Sequence, residues 1–189
     1  MRAFEFREPL ETERLLLRLE TAADVDAIHS FQSRADVCRY LLYEPRDRET
    51  VAEKVAQDAA HTRLEKDGDY LQLAVQRKSD GRVIGQMYFT VDKAEYSTLE
   101  IGWVFSPDVS GRGYAQESAL ALISLGFETM AAHRIFASLT PENTASVRLC
   151  LRLGMREEAH FVEDMFLKGR WEDTGVYAIL DREWSVRAH

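Results

Sequence analysis

Two glycines and an alanine in the run SPDVSGRGYAQE, Ser106 to Glu117, stand between an apolar segment, LEIGWVF (Leu99 to Phe105), and a stretch whose apolar residues Ala115, Ala119, Leu122, Ile123, Gly126, Phe127 and Met130 recur at helical spacing. Gly111 and Gly113 allow backbone angles closed to other residues and carry no Cβ, so several N–H groups can converge on an anion where the helix begins. A pyrophosphate fits such a nest. An ordinary glycine turn that opens a helix has the same composition, and the flanking context has to choose between the two. Two familiar phosphate loops are excluded. GxxxxGK[ST] occurs nowhere, and GxGxxG would need glycine where Gln116 stands, with its first glycine straight after the strand, where Ser106 to Ser110 intervene.

The elements that must position this loop are legible as periodic segments. Glu13 to Leu19 reads as a strand, Ala22 to Gln32 as a helix, and Arg48 to Lys66 as a longer helix on a charged background. Tyr70 to Arg77 and Val83 to Val91 alternate as a hairpin around a Lys-Ser-Asp-Gly turn. After the strand Leu99 to Phe105 and the helix Ala115 to Met130 come a strand at Arg134 to Thr140, a helix at Asn143 to Leu153 and two terminal strands. The order is mixed α/β. No repeat, low-complexity tract or linker interrupts it, and 189 residues with 46% hydrophobic content suit one substantial core, so a single domain over 1–189 is expected.

Charge and composition narrow the partners. A formal net charge of -8 without a long basic run disfavours nucleic acid, although Arg112, Arg148 and Arg152 offer local cations for a small polyanion. Cys38 and Cys150 form no CxxC and the five histidines show no ligand spacing, which points to a reducing compartment and to no metal. Charged residues occupy the N-terminus where a secretory signal would be apolar, and ALALISLGF is too short to span a bilayer, so a cytoplasmic protein without membrane contact is expected.

The loop resembles the acyl-coenzyme A loop of the GNAT superfamily of N-acetyltransferases, [QR]xxGx[GA], with Gly113 and Ala115 at its fourth and sixth places and Ser110 departing from Gln or Arg at its first. Downstream, RIFASLTPENTASVRLCLRLGMREEAHF resembles the next block of that superfamily in order and length. The segments ETERLLLRLETAAD and KGRWEDTGVYAILDREW look like the start and end of its RimJ/RimL branch, named for ribosomal-protein N-terminal acetyltransferases, so the likeness runs from about Glu11 to Trp184.

This resemblance implies a GNAT-like α/β (α+β) domain: a mixed, mostly antiparallel sheet flanked by helices, with the acyl-coenzyme A cleft at splayed central strands. It implies acetyl-coenzyme A as co-substrate, held by Ser110, Gly111, Arg112, Gly113, Tyr114 and Ala115, by the strand end Trp103, Val104 and Phe105, and by Asn143. Asn143 can equally cap the helix that it precedes. A backbone N–H of Trp103 to Phe105 would stabilise the thioester oxygen, while the Trp103 ring packs in the core or lines the acceptor pocket. An alkyl ammonium with pKa near 10 must lose a proton before it attacks. Glu100, matching an acidic residue of many members, is the candidate base through a water; a solvent-facing acid is the other reading. Ser146 is the first choice to meet the leaving thiolate. Cys150 stands where many members carry a tyrosine acid and reads as a small core residue. The acceptor, a peptide N-terminus or a small amine, is expected between Tyr40, Leu41 and Tyr43 and the late residues Phe161 and Met165. The protein is expected to be a monomer or homodimer, and a non-catalytic acyl-coenzyme A sensor is the competing class.

Overall fold

A computed structural model describes residues 1–185, so His189 and the end of the expected 1–189 unit lie outside the described residues. The chain opens with three short strands, β1 (Phe4–Glu5), β2 (Leu10–Glu11) and β3 (Leu15–Leu19), then α1 (Val25–Gln32), α2 (Ala35–Cys38) and α3 (Arg48–Asp58). Next come β4 (Arg63–Leu64), β5 (Tyr70–Arg77), β6 (Val83–Lys93) and β7 (Thr98–Phe105). The second half carries α4 (Tyr114–Ser124), β8 (Arg134–Leu139), α5 (Thr144–Leu153), β9 (Arg156–Leu167), β10 (Arg170–Leu180) and α6 (Asp181–Ser185).

Eight strands form one sheet in the order β2-β3-β5-β6-β7-β8-β10-β9, and β1 pairs with β4 beside it. Every pairing in the large sheet is antiparallel except β7 with β8. Alternation along β5 sends Leu71, Leu73 and Val75 into one core with Leu122, Ile123, Leu149 and Leu153 of α4 and α5, and Ala74 into a second with Ile28, Phe31, Val51 and Val55 of α1 and α3. Helices therefore cover both faces. Each fully buried Leu, Ile or Phe contributes about 1.5–3 kcal/mol relative to exposure.

Two expected boundaries shift. The helix expected over Arg48 to Lys66 starts where Asp47 accepts the Thr50 N–H at 2.8 Å but ends at Asp58. Leu64 pairs instead with Phe4 and is fully buried, and the Phe6 N–H donates to the Thr62 carbonyl at 2.7 Å, so sheet pairing overrides helical propensity. The helix expected from Ala115 to Met130 begins one residue earlier and widens into a π turn at Leu125–Thr129. There Gly126 comes so close to the sheet that a Cβ would stand 2.7 Å from Ile135 Cδ1.

The parting of β7 from β8 positions everything that follows. Their parallel register covers Thr98↔Arg134, Leu99↔Ile135 and Glu100↔Phe136 and then stops, while β7 stays paired with β6 as far as Phe105 and β8 with β10 as far as Leu139. From Ile101 onward one edge of β7 has no strand partner, and its free N–H and C=O groups face the gap.

Candidate active site

The glycine loop sits at the mouth of this gap. Gly111 and Gly113 adopt φ of 74° and 81°, and Gly113 is the N-cap of α4 without any side-chain cap. A helix leaves its first N–H groups without intrahelical acceptors, so the first turn, Tyr114 to Gln116, presents uncapped donors and the positive end of the helix dipole. Glu117 would spoil this field but is engaged from behind. It accepts from Thr12 Oγ1 at 2.5 Å, the Arg14 N–H at 2.8 Å and Arg14 Nε at 2.7 Å. Burial works against its charge, yet these bonds hold its carboxyl below the usual range. Arg14 also donates to the Arg112 carbonyl at 3.0 Å and lies 4.7 Å over the Tyr114 ring, bracing the loop.

A cavity of about 580 Å³ runs from this loop along the free edge of β7, lined among others by Trp103, Phe105, Ser110, Tyr114, Asn143 and Ser146. Arg152 lines it too; Arg112 and Arg148 are exposed and lie outside its wall, and the Arg112 carbonyl accepts from Arg14. Uncapped helix donors, glycines at positive φ and a free strand edge suit the pyrophosphate and amide arm of coenzyme A. Among the described residues no group of three or more His, Cys, Asp or Glu could hold a metal ion, and no helix is long and apolar enough to cross a membrane.

Across the gap lies a second cavity of about 560 Å³, lined by Tyr40, Leu41, Glu100, Trp103, Ser146 and Met165 among others, and a third of about 540 Å³ reaches from Glu100 and Trp103 to Glu20 under α1 and α3. Trp103 and Leu41 border all three. Glu100 is half-buried on a central strand between the buried Leu99 and Ile101, so it faces the cavities and is no edge residue. Burial, with Asp92 adding to it, raises its pKa above the ordinary carboxylate range.

On α5, the Asn143 side chain accepts the Ser146 N–H at 3.2 Å, the capping arrangement, while Asn143 still borders two cavities. Ser146 Oγ accepts from Trp103 Nε1 at 3.2 Å, which leaves the hydroxyl proton free to donate. Cys150, one turn on, is fully buried, and burial pushes its thiol up to about 12. Phe161 does not join the site. It is half exposed, because β9 bulges between the pairs Thr174↔Phe161 and Glu172↔Met165, with Glu163 at φ 50°, and the bulge turns Asp164 and Met165 toward the cavity instead.

Sequence reasoning missed three groups. Arg14 and Glu117 lie far apart in the chain, and nothing local marks them as partners. Glu20 follows Leu16 and Arg18 on the alternating face of β3, where an acid normally meets solvent; here α1 and α3 cover it to 2% exposure.

The acetyltransferase (GNAT) domain family matches residues 14–156. The chain is 32% identical over 179 residues to an uncharacterized N-acetyltransferase, YnaD, of Bacillus subtilis, covering 93% of this chain and 99% of that protein. A GNAT-family acetyltransferase structure from Bacillus anthracis superposes with a TM-score of 0.83 at 32% identity, over 92% of this chain and 99% of that one. Spermidine N-acetyltransferase from Vibrio cholerae, solved in complex with CoA and spermine, shares the fold with a TM-score of 0.77 at 22% identity, over 92% and 99% of the two chains. A central sheet parted at β7, an uncapped helix at the parting and a family match across most of the chain lead to one conclusion: this protein belongs to the GNAT acetyltransferases and is an acyltransferase that uses acetyl-coenzyme A to acetylate nitrogen.

Proposed function

We propose that the acceptor is a small primary amine that reaches the parted strands from the side opposite the glycine loop. The observation that carries this reading is that Trp103 and the free edge of β7 divide a loop-side cavity from two cavities bordered by Glu100, each of a size suited to small molecules. Similarity to spermidine N-acetyltransferase of Vibrio cholerae is consistent with an acceptor of that size.

Acetyl-coenzyme A, when bound, supplies an acetyl thioester open to displacement by an amine nitrogen. The residues of Ser110 to Ala115 and the α4 N-terminus would hold its phosphates, with Asn143 beside its amide arm, and free N–H groups of Trp103 to Phe105 would orient it and polarise its carbonyl. Glu100, ionised, takes a proton from the incoming ammonium through a water; its raised pKa makes it a better base than an ordinary carboxylate. Ser146, its oxygen already accepting from Trp103, directs its proton toward the sulfur side.

Thiol release by the purified protein with peptides, amino acids, aminoglycosides and aliphatic amines tests this reading. Turnover is expected with small amines. Tight acetyl-coenzyme A binding without thiol release from any amine would return the sensor reading. Ser146→Ala is expected to slow transfer about tenfold, the loss of one hydrogen bond to a developing charge. Cys150→Ala should instead cost about 1 kcal/mol of stability. Protection of a rapidly alkylated Cys150 by acetyl-coenzyme A, with an acetylated thiol in mass spectra, would reverse that contrast.

A further inference from the structure

Glu20 is 2% exposed and borders the same cavity as Glu100; its partner Gln86 pairs with Val104, four residues along β7 from Glu100. Gln86 Nε2 donates to its Oε1, but its Oε2 has no hydrogen-bond partner among the described residues. A buried carboxylate oxygen left without a donor is costly, and folding alone gives no reason to keep it.

Arg46 and Lys54 border the same cavity and Arg18 lies near, but none of the three donates to Glu20. Arg18 forks onto Asp24 at 2.7 and 2.8 Å. Arg46 lies 3.6 Å over the Tyr43 ring and donates to Gln32 at 3.0 Å; Gln32 in turn donates to Gln86, so two amides separate the guanidinium from Glu20. Lys54, exposed on α3, donates to Gln57. Asp58 borders the same cavity and adds to the local negative potential, and Tyr70 donates to it at 2.9 Å. Burial, aided by Asp58 and Asp24 and opposed by the Gln86 bond and the Arg18 charge, pushes Glu20 up to about 7, and a cation beside it would favour its ionised form. Ile28, Val51, Val55 and the ring of Tyr88 also line the cavity. Acidic ends joined by an apolar and aromatic wall complement methylenes that carry an ammonium group at each end.

We propose that the Glu20 and Asp58 end of this cavity binds a second ammonium group of the acceptor, so that the substrate is an aliphatic diamine or polyamine whose reacting nitrogen faces Glu100. This deepens, and rests on, the small-amine reading above.

The test compares 1,4-diaminobutane and spermidine with butylamine, using the full chain and acetyl-coenzyme A. The diamine should exceed butylamine at least tenfold in kcat/KM. In Glu20→Gln, an isostere able to keep the Gln86 contact, the diamine-to-butylamine ratio should fall at least tenfold, mostly through KM. Asp58→Asn should lower the same ratio, with thermal melts reporting that both variants are folded. Calorimetry of 1,4-diaminobutane with the coenzyme A-saturated protein reads the site without chemistry, and binding should be lost in Glu20→Gln. An unchanged ratio in folded Glu20→Gln, no diamine binding by the parent, or a preference for butylamine or for peptide N-termini would overturn the second-cation site even if other amines are acetylated. Glu20-dependent diamine binding without thiol release would uphold the site while the acetyl-transfer reading failed.

Discussion

Gly113→Glu is expected to weaken acetyl-coenzyme A binding about 100-fold, equivalent to about 2.8 kcal/mol, while the protein remains folded. Gly113 is the α4 N-cap at φ 81°, next to the uncapped donors of the first turn. A side chain at that angle carries backbone strain of about 1–2 kcal/mol, and a carboxylate would compete for the same N–H groups and repel phosphate. Gly113→Ala separates the two causes. Its Cβ would meet nothing closer than Arg14 Nη2 at 3.5 Å, so alanine carries the strain without the charge or the bulk and should lose far less affinity. Calorimetry with acetyl-coenzyme A, alongside thermal melts, reads both. A folded Gly113→Glu protein that bound acetyl-coenzyme A like the parent would remove the loop from the binding site. NADH should not compete in either protein.

Glu100→Gln should lower turnover at pH 7 by about 100-fold, the lower part of the range for general base catalysis because a water relays the proton. Acetyl-coenzyme A affinity should move little, since the carboxylate faces the amine side of the gap. The pH profile carries the sign. Burial and Asp92 raise the Glu100 pKa, and only the ionised form accepts a proton, so the parent's rate should climb with pH through a limb above the ordinary carboxylate range. In Glu100→Gln that limb disappears. What remains is the tenfold rise per pH unit as an amine of pKa near 10 loses its proton, so part of the lost rate returns at high pH. Equal rates for parent and variant across the whole range would exclude Glu100 from the reaction.

Local chemistry made much of this protein legible before any coordinates. Periodic apolar residues mark the sheet strands and α4, because a strand or helix half-buried against a core must repeat its apolar side chains with the element's own period. The glycine loop is legible for a related reason: only residues without a Cβ enter those backbone angles cheaply, so Gly111 and Gly113 announce an unusual turn. Leu99 and Ile101 flanking Glu100 predict that the acid takes the opposite face of the strand from theirs, and it does, half-buried while they are buried.

Other features exist only once distant segments meet. The expected helix past Asp58 gives way to β4 because β1, some sixty residues away, offers Leu64 a strand partner and a buried site. Phe161 leaves the expected pocket because a bulge in β9 depends on its pairing with β10. Ser146 and Cys150 lie one turn apart on α5, and only the packed structure shows the Trp103 hydrogen bond to Ser146 and the full burial of Cys150. Arg14 neutralises Glu117 across more than a hundred residues of chain. Glu20 looks like any solvated acid in the sequence; covering it with α1 and α3 makes it a buried carboxylate with an unmatched oxygen. The sequence by itself determined most of the long sheet strands and where the chain can turn around an anion, since those follow from the periodicity and freedom of neighbouring residues, while the two-residue strands β2 and β4 escaped it. Tertiary structure alone decided which side chains lose water and which partners they find, because desolvation and hydrogen bonding depend on every segment that packs against them.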